Sequence, residues 1–272
     1  MTRQYGRQVR LTVGLPGKPG RSWTGLRVNA EITKTDSKKP NKAKVQVYNL
    51  GPDSRGFISQ DGMVMQVLAG YGEPELVFQG DIDEVSTQKD GLDVVATIEG
   101  GDGRKKFQDG RLVQTYLPPN DSGLMLTRIA NAMGIQLAPL PPELKTVIYT
   151  SAYTVAGPTR DALDDLTRTL EANWSIQDGE LLITLIGKAT TETAFLVSPS
   201  SGLIGRPEKQ KKGLKFRMLL NGKIKPRRMV RLESQEFTGF YLPKKVTHSF
   251  DSGFDSTFYT DIEAVEVTPN RP

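Results

Sequence analysis

The stretches GMVMQVLAGYG, residues 62–72, and LVFQGDIDEV, residues 76–85, decide the fold of this chain. Within them apolar residues alternate with polar ones, and nothing recurs at the three- and four-residue spacing of a helix. Glycine and proline interrupt the surrounding sequence roughly every eight to twelve positions, as in proteins built from short strands and tight turns. The pattern predicts strands that close into a small barrel.

Further strands are predicted on both sides of these stretches. Alternation marks residues 7–13, 26–35 and 45–50 before them and residues 92–98 after them. Pro52 suits the first turn of a short helix between two of these strands. The first hundred residues therefore contain about six strands, enough for a closed barrel without an exposed edge.

The period changes from Leu112 onward. Residues 120–122 form a helix cap, apolar residues follow at helical spacing, and Gly134 ends the helix. A second helix is predicted to start near Pro158. Residues 174–185 read as a hairpin whose two-residue turn is Asp178-Gly179. The middle third is thus a small α+β insertion.

Strands return from Ala194 and lead to a division into three domains. We predict a first β-barrel over 1–100, an α+β insertion over 101–192 and a second β-barrel over 193–272, in a chain that is mainly β. Met229-Val230 precedes the strand at 258–263 by the same interval as Met63-Val64 precedes the strand at 92–97. This spacing suggests a duplication, with chance as the alternative.

The composition excludes several classes of function. The sequence has no cysteine and a single histidine, His248, with 37% hydrophobic and 25% charged residues. Disulfides, thiolate metal sites and cysteine nucleophiles are excluded, and no cofactor is predicted. Residues 1–7 lack the apolar core of a signal peptide, and no run approaches the ~18 apolar residues of a membrane span. We expect a protein kept in a cytoplasm-like compartment.

Candidate catalytic residues are few, and each has a simpler structural interpretation. A Ser-His-Asp triad would have to use His248, which lies in an alternating strand. Residues 100–106 lack the spacing and the hydroxyl of a phosphate-binding loop. Asp81 and Asp83 are predicted on one face of a strand with Glu84 on the other, without a glycosidase-like partner. Three aspartates near Pro158 suit the start of a helix: Asp161, Asp164 and Asp165.

Charge is distributed unevenly along a chain whose formal net charge is +5. Residues 206–231 hold eleven basic residues and one acid, and residues 251–266 hold five acids and no base. The basic stretch is open to three interpretations: a solvated face, a contact with an acidic protein surface, or a channel wall past which DNA moves. We favour protein contact or solvent, because strong attraction for phosphate would stall a moving genome. The predicted contact residues are Lys209, Lys211, Lys212, Lys215, Arg217, Lys223, Lys225, Arg227 and Arg228.

Several segments resemble phage baseplate hub proteins, a tail-tube-initiating family that is also similar to the base of type VI secretion spikes. Residues 45–50, 67–72 and 77–82 resemble the first barrel of that family. The resemblance to the second barrel of that family is carried by residues 202–208, 218–222 and 246–251. Together these segments span nearly the whole chain.

The resemblance implies a structural hub rather than an enzyme. Two similar barrels in each of three chains would give a ring of six, which joins the tail tube to the central spike and lines the channel for DNA passage. The implied partners are two further copies of the chain, a tail tube or distal tail protein, a spike protein and baseplate wedge or arm proteins. The implied location is the virion baseplate, with assembly in the host cytoplasm. Cell-wall-degrading activity in the particle would then belong to other chains.

Two other classes of function are weighed against this one. A tail-associated cell-wall hydrolase is disfavoured by the lack of a catalytic motif. A β-barrel module that binds nucleic acid or oligosaccharide is disfavoured by the duplication and by aromatic residues that are not interleaved as a stacking platform requires.

Overall fold

A computed structural model describes residues 6–103, 108–186, 194–253 and 257–267. The sequence features noted at residues 1–5 and 104–106 lie outside these ranges. The chain divides into two compact units. The sheet unit comprises Met1–Thr35, Asn41–Gly101 and Glu192–Pro272, and the insert unit comprises Asp36–Pro40 and Asp102–Thr191.

The structure confirms a mainly β chain, in which three α-helices lie entirely within the described residues. The helices are α1 Pro52–Ile58, α2 Ser122–Met133 and α3 Thr159–Thr169. The strands, in chain order, are β1 Arg7–Gly14, β2 Arg21–Thr24, β3 Val28–Thr35, β4 Lys42–Tyr48, β5 Val64–Tyr71, β6 Glu75–Asp90, β7 Asp93–Gly101, β8 Arg111–Tyr116, β9 Asn120–Asp121, β10 Gln136–Leu137, β11 Ile148–Tyr149, β12 Tyr153–Pro158, β13 Ala172–Gln177, β14 Glu180–Leu185, β15 Phe195–Val197, β16 Leu203–Gln210, β17 Gly213–Leu219, β18 Val230–Glu233, β19 Thr238–Asp251 and β20 Phe258–Glu266.

The sheet unit is built on one 13-stranded sheet whose main strand order is β16-β17-β20-β19-β3-β4-β7-β6-β5-β1-β2. Two further strands attach beside this path, β18 to β19 and β15 to β18. Among the described residues the path is open, with β16 and β2 at its ends. The expected pair of closed barrels without exposed edges is therefore not seen in this chain alone.

A five-strand order occurs twice within the sheet. The first half, β3 to β7, runs β3-β4-β7-β6-β5, and the second half, β16 to β20, runs β16-β17-β20-β19-β18. All pairings inside both halves are antiparallel. The halves are joined where β19 pairs with β3. The repeat predicted from residue spacing thus has a counterpart in topology.

The sheet covers two hydrophobic cores, because apolar residues alternate along the strands and point to one side of the sheet. The first core includes the fully buried Met65, Phe78 and Ile98, together with Phe250 and Phe258 from the second half. The second core is built from residues after 196 alone, among them Phe216, Val246 and Ile262. The continuous sheet therefore supports two cores.

The insert unit contains two helices and short strands, as the sequence predicts for the middle third. The Asp121 side chain accepts a hydrogen bond from the backbone N–H of Leu124, and Gly134 closes α2 with φ of 65°. The predicted hairpin is present as β13 and β14, and Asp178 and Gly179 in its turn have φ of 53° and 86°. Turn chemistry at these positions therefore fixed the local structure.

Candidate assembly surface

One side of the sheet carries polar residues in cross-strand rows, and we call it the polar face. Residues directly opposite each other in an antiparallel pair lie on the same face, so the strand registers define its members. Arg217, Asp261, Thr247 and Thr33 form one row across β17, β20, β19 and β3. Its other members include Glu31, Lys44, Gln46, Glu99, Lys215, Lys245, Ser249, Tyr259 and Glu263.

Opposite charges are paired on the polar face. Arg217 donates to both carboxylate oxygens of Asp261, at 2.8 and 2.9 Å, and its guanidinium lies 3.8 Å from the centre of the Tyr259 ring. The hydrogen bond to Asp261 raises the pKa of Arg217 above its ordinary value. Lys245 lies 3.3 Å from Glu263. The polar face is thus charged, but its basic side chains are partly neutralised by neighbouring acidic ones.

The uneven charge along the sequence is balanced in the structure. β17 comes from the basic stretch and β20 from the acidic one, and the two strands are antiparallel neighbours. Arg217 opposes Asp261 and Lys215 opposes Glu263. The basic stretch is therefore partly neutralised by the acids that follow it in sequence.

The nine predicted contact residues fall into three groups, and the structure does not gather them into one patch. Lys209, Lys211 and Lys212 are exposed at the β16–β17 hairpin, and Lys215 and Arg217 lie on the polar face. The remaining four, in the connection between β17 and β18, include Lys223, which forms an ion pair with Glu75 at 2.9 Å. The other three are Lys225, Arg227, which is 3% exposed, and Arg228.

A buried carboxylate anchors the end of β19. The side chain of Asp251 is fully buried and accepts hydrogen bonds from the Arg27 guanidinium, the backbone N–H of Gly253 at 2.7 Å and the side chain of Asn29. Burial by itself raises the pKa of Asp251, but these hydrogen bonds and the Arg27 charge outweigh it and hold the pKa below its ordinary value. The site is therefore a structural ion pair.

A cleft of 460 Å³ lies next to this ion pair and is lined by three arginines, Arg7, Arg10 and Arg27. Arg27 is engaged with Asp251, and the Arg7 guanidinium lies 5.1 Å from the centre of the Phe258 ring. Two of the three cations therefore stabilise the sheet itself.

His248 is a buried structural histidine, as its place in an alternating strand predicts. Its Nδ1 lies 3.0 Å from the hydroxyl oxygen of Thr260 on the neighbouring strand β20. The residue has no exposed surface, so a substrate has no access to it from solvent.

The carboxylates of β6 are arranged differently from the prediction. The register shifts between Ile82 and Glu84, which makes Asp83 a bulge residue. Asp81 then opposes Gly101 and Glu84 opposes Glu99, two residues on the same face of β7. Asp81 and Glu84 therefore lie on the same face of β6. The prediction that they lie on different faces is wrong, because the alternation of residues does not reveal the extra residue of a bulge.

The three aspartates of α3 have local partners. Asp164 accepts a hydrogen bond from Trp174 Nε1 at 2.7 Å and lies 2.7 Å from Lys38 Nζ. Asp165 pairs with Arg168 one turn later, and Asp161 lies 3.5 Å from Arg160. These contacts agree with a structural role at the start of the helix.

The described residues contain neither a metal-ligand cluster nor a membrane-spanning helix. No group of three or more His, Cys, Asp or Glu side chains in these ranges is placed to hold a metal ion. In the same part of the chain, no helix is long and apolar enough to cross a membrane.

Sequence reasoning missed two of the open strand edges. The outer part of β6, residues 84–90, is paired only with β7, and β16 is paired only with β17, within the part of the chain that the structure describes. Both segments are largely exposed. The signal available in the sequence was polarity on both faces: residues 83–90 and 208–212 carry almost no apolar side chain.

Comparisons with known proteins agree with this architecture. The family model described as Baseplate hub gp41 matches residues 8–263. A 43 kDa tail protein of prophage MuSo2 from Shewanella oneidensis is similar in fold, with a TM-score of 0.67, 11% identity and coverage of 96% of this chain and 98% of that chain.

Two further solved structures share the fold. The tail protein from Neisseria meningitidis MC58 has a TM-score of 0.67 at 9% identity, covering 96% of this chain and 97% of that chain. The E. coli c3393 protein, a component of the type VI secretion system, has a TM-score of 0.57 at 10% identity, covering 96% and 79%. No curated protein matches the chain in sequence.

Proposed function

The chain belongs to the baseplate hub gp41 family and has a structural role in a phage tail, and from this premise we propose that it is the ring-forming adaptor between tail tube and central spike. Three copies form the ring, and the polar face lines the channel through which DNA passes. The tail tube or distal tail protein, the spike protein and wedge or arm proteins are its partners in the virion.

The observation that carries this proposal is the repeated five-strand order within one continuous sheet. A chain with two topologically equivalent halves can present two similar surfaces at successive positions around an axis. Three such chains then offer six similar positions to a sixfold tube while keeping threefold symmetry toward a spike. We propose that the two halves, residues 1–100 and 193–272, act as the two barrel-type modules of this ring, with 101–192 as the insertion.

Charge pairing on the polar face supports its place toward the channel. A wall of unpaired lysines and arginines would hold DNA through phosphate contacts whose number sets the affinity. On this face Arg217, Lys245 and Lys44 each have an acidic neighbour within 4 Å. The wall is therefore polar and hydrated without a strong net attraction for the passing genome.

The oligomeric state tests the ring. We expect multi-angle light scattering of the purified chain, or of tails dissociated into hub complexes, to give three times the mass of one chain. A monomer or dimer in both preparations would overturn the proposal.

Accessibility in assembled tails tests the place of the polar face. Because the sequence has no cysteine, a Ser249→Cys variant carries a single reactive thiol on this face. We expect a small maleimide to label it and a 5-kDa polymer maleimide to fail until the tail is dissociated. Asp161→Cys, on the exposed surface of the insert unit, is the control that should react with both reagents. Equal labelling of Ser249→Cys by both reagents would place this face on the outside.

Two simpler assays address the rival functions. Loss of turbidity of purified cell walls would indicate a hydrolase, and retention of DNA that falls steeply with salt would indicate a nucleic-acid-binding module. We expect neither activity from the purified chain.

A further inference from the structure

The equivalent strands β6 and β19 are used differently by the two halves. Each strand has a bulge against its neighbour, at Asp83 in β6 and at Lys244 in β19. Aligning the bulges makes residues 84–90 equivalent to residues 245–251. Residues 245–251 pair with β3 on their second edge, whereas no strand in the described residues pairs with the second edge of residues 84–90.

This second edge of β6 presents backbone donors outward. Asp90 opposes Asp93 across a two-residue turn, a position at which the two residues exchange both backbone hydrogen bonds. Since donors alternate along a strand, the N–H groups of Val85, Thr87 and Lys89 point away from β7. The segment from 83 to 90 is exposed except at Val85, so these donors face solvent in the isolated chain.

Strand β16 is the second-half counterpart of β3, the strand that β19 binds. The pairing of β16 with β17 begins in the same register as the pairing of β3 with β4. Leu203 opposes Met218 on β17, and at the equivalent position Val28 opposes Val47 on β4. After a bulge between residues 204 and 208, the pairing resumes through Glu208, Lys209 and Gln210. Nothing in the described residues pairs with the other edge of β16. The chain thus contains a counterpart of β19, which is β6, and a counterpart of β3, which is β16, and these two strands are not paired with each other within the described residues.

We propose that residues 84–88 of β6 pair in antiparallel orientation with residues 208–210 of β16 in a second copy of the chain. The β19–β3 register, transferred to this contact, places Thr87 opposite Lys209 and Gln88 opposite Glu208 of the neighbouring copy. The inference deepens the proposed function and rests on it, because it names the surfaces through which the copies form the ring. Each copy contributes one edge of each kind, so the contact is head-to-tail, and such contacts generate a ring when their rotation closes, as the proposed trimer requires.

Charge complementarity identifies a second copy as the occupant. Glu84, exposed on β6, has no ion pair within the described ranges, and the same holds for the exposed Lys211 and Lys212 in the turn after β16. The transferred register brings Glu84 beside this turn. The contact therefore gives a role to three of the predicted basic residues, namely Lys209, Lys211 and Lys212.

Disulfide trapping tests the register directly. Ser249 and Glu31, which the proposed pair copies, are directly opposite but do not exchange backbone hydrogen bonds, and Cβ atoms in such pairs lie close enough for a disulfide. We expect the double variant Gln88→Cys with Glu208→Cys to form covalent trimers under mild oxidation. A matched control, Gln88→Cys with Lys18→Cys, places the second thiol in an exposed loop and should give about ten-fold less cross-linked trimer.

The outcomes separate this inference from the proposed function. Trimers by light scattering without cross-linking of Gln88→Cys with Glu208→Cys would overturn the pairing and leave the ring standing. Absence of trimers, both in the purified chain and in dissociated tails, would overturn the ring and the pairing together. Cross-linked trimers specific to this pair of thiols support both.

A charge exchange provides an independent readout. Glu84→Lys places like charges at the contact and should weaken trimer formation about ten-fold, which is about 1.4 kcal/mol. Adding Lys212→Glu to the same chain should restore most of the loss. Equal trimer formation by the wild type and Glu84→Lys would contradict the charge contact.

Discussion

The two halves of the sheet share a strand order but differ in how many of their strand edges are paired. In the second half, residues 245–251 of β19 are flanked by β20 and β3, and their edges are fully used. In the first half, the equivalent residues 84–90 are exposed and have β7 on one edge and no other described strand on the second. The same local structure therefore serves stability in one half and, on our proposal, assembly in the other.

Proline at matched positions gives the largest expected contrast. His248→Pro removes a donor that points to β3 in the middle of the sheet, leaves a buried acceptor unpaired and should cost about 3 kcal/mol or more. Thr87→Pro removes the equivalent outward donor of β6 at an edge, where proline is tolerated. Urea unfolding should show a large loss for the first variant and a small one for the second.

The second variant also separates folding from assembly. Thr87→Pro should lower the unfolding midpoint only slightly while its trimer content falls. Equal destabilisation by both prolines would mean that the edge of β6 is covered within the chain.

A matched pair of aspartates gives the next largest contrast. Asp251→Asn removes the charge that Arg27 pairs with and should cost about 2 kcal/mol at neutral pH, because one partner of a partly buried pair is lost. Asp90→Asn, at the equivalent exposed position, should change the unfolding free energy by less than about 0.5 kcal/mol.

The pH dependence supplies the sign of the Asp251 effect. Since folding lowers the pKa of Asp251 below the ordinary 3.8, its contribution is complete above that value and is lost as the pH falls below it. The free-energy difference between wild type and Asp251→Asn should therefore shrink below about pH 4. A difference that stays constant from pH 7 to pH 3 would contradict this account.

Conservative substitutions in the two cores test whether the halves unfold together. Ile98 and Ile262 are fully buried at equivalent positions of β7 and β20, and shortening either to valine should cost about 1 kcal/mol. Because one sheet runs through both cores, we expect both variants to lower the same calorimetric transition. Separate transitions for Ile98→Val and Ile262→Val would show that the halves are thermodynamically independent.

The smallest effects are expected on the polar face. Glu99→Gln and Glu263→Gln each remove the acid from a solvent-exposed ion pair, with Lys44 and Lys245 respectively. Such pairs contribute roughly 0–1 kcal/mol, so we expect losses of a few tenths of a kcal/mol in low-salt denaturant titrations. A loss above about 1.5 kcal/mol for either variant would mean that the face is more desolvated than the structure indicates.

The sequence predicts local structure well where chemistry dictates it. Pro52, Gly134 and the Asp178-Gly179 turn each mark the element boundary that the structure shows. The sequence also predicts the register of the repeat to within two residues. Residue spacing aligns residue 92 with Phe258, whereas the strand pairings align Val94 with Phe258.

Other features depend on contacts between distant residues and were beyond reach of the sequence. The bulge at Asp83 adds one residue to β6 without changing the polar character of the sequence there. Counting alternate residues therefore predicts the wrong face for Glu84. The pairing of β19 with β3 joins residues more than two hundred positions apart. Without that pairing, neither the shared sheet nor the open edge of β6 could be recognised.

The double use of β19 has a consequence for how this protein can change over time. Along one side, its first residues bind β18 of its own half and its last residues bind β3 of the other. An insertion or deletion within the strand would shift both neighbours at once, so the two repeats cannot diverge in length independently at this joint. A single strand therefore ties the length of the second half to its pairing with the first.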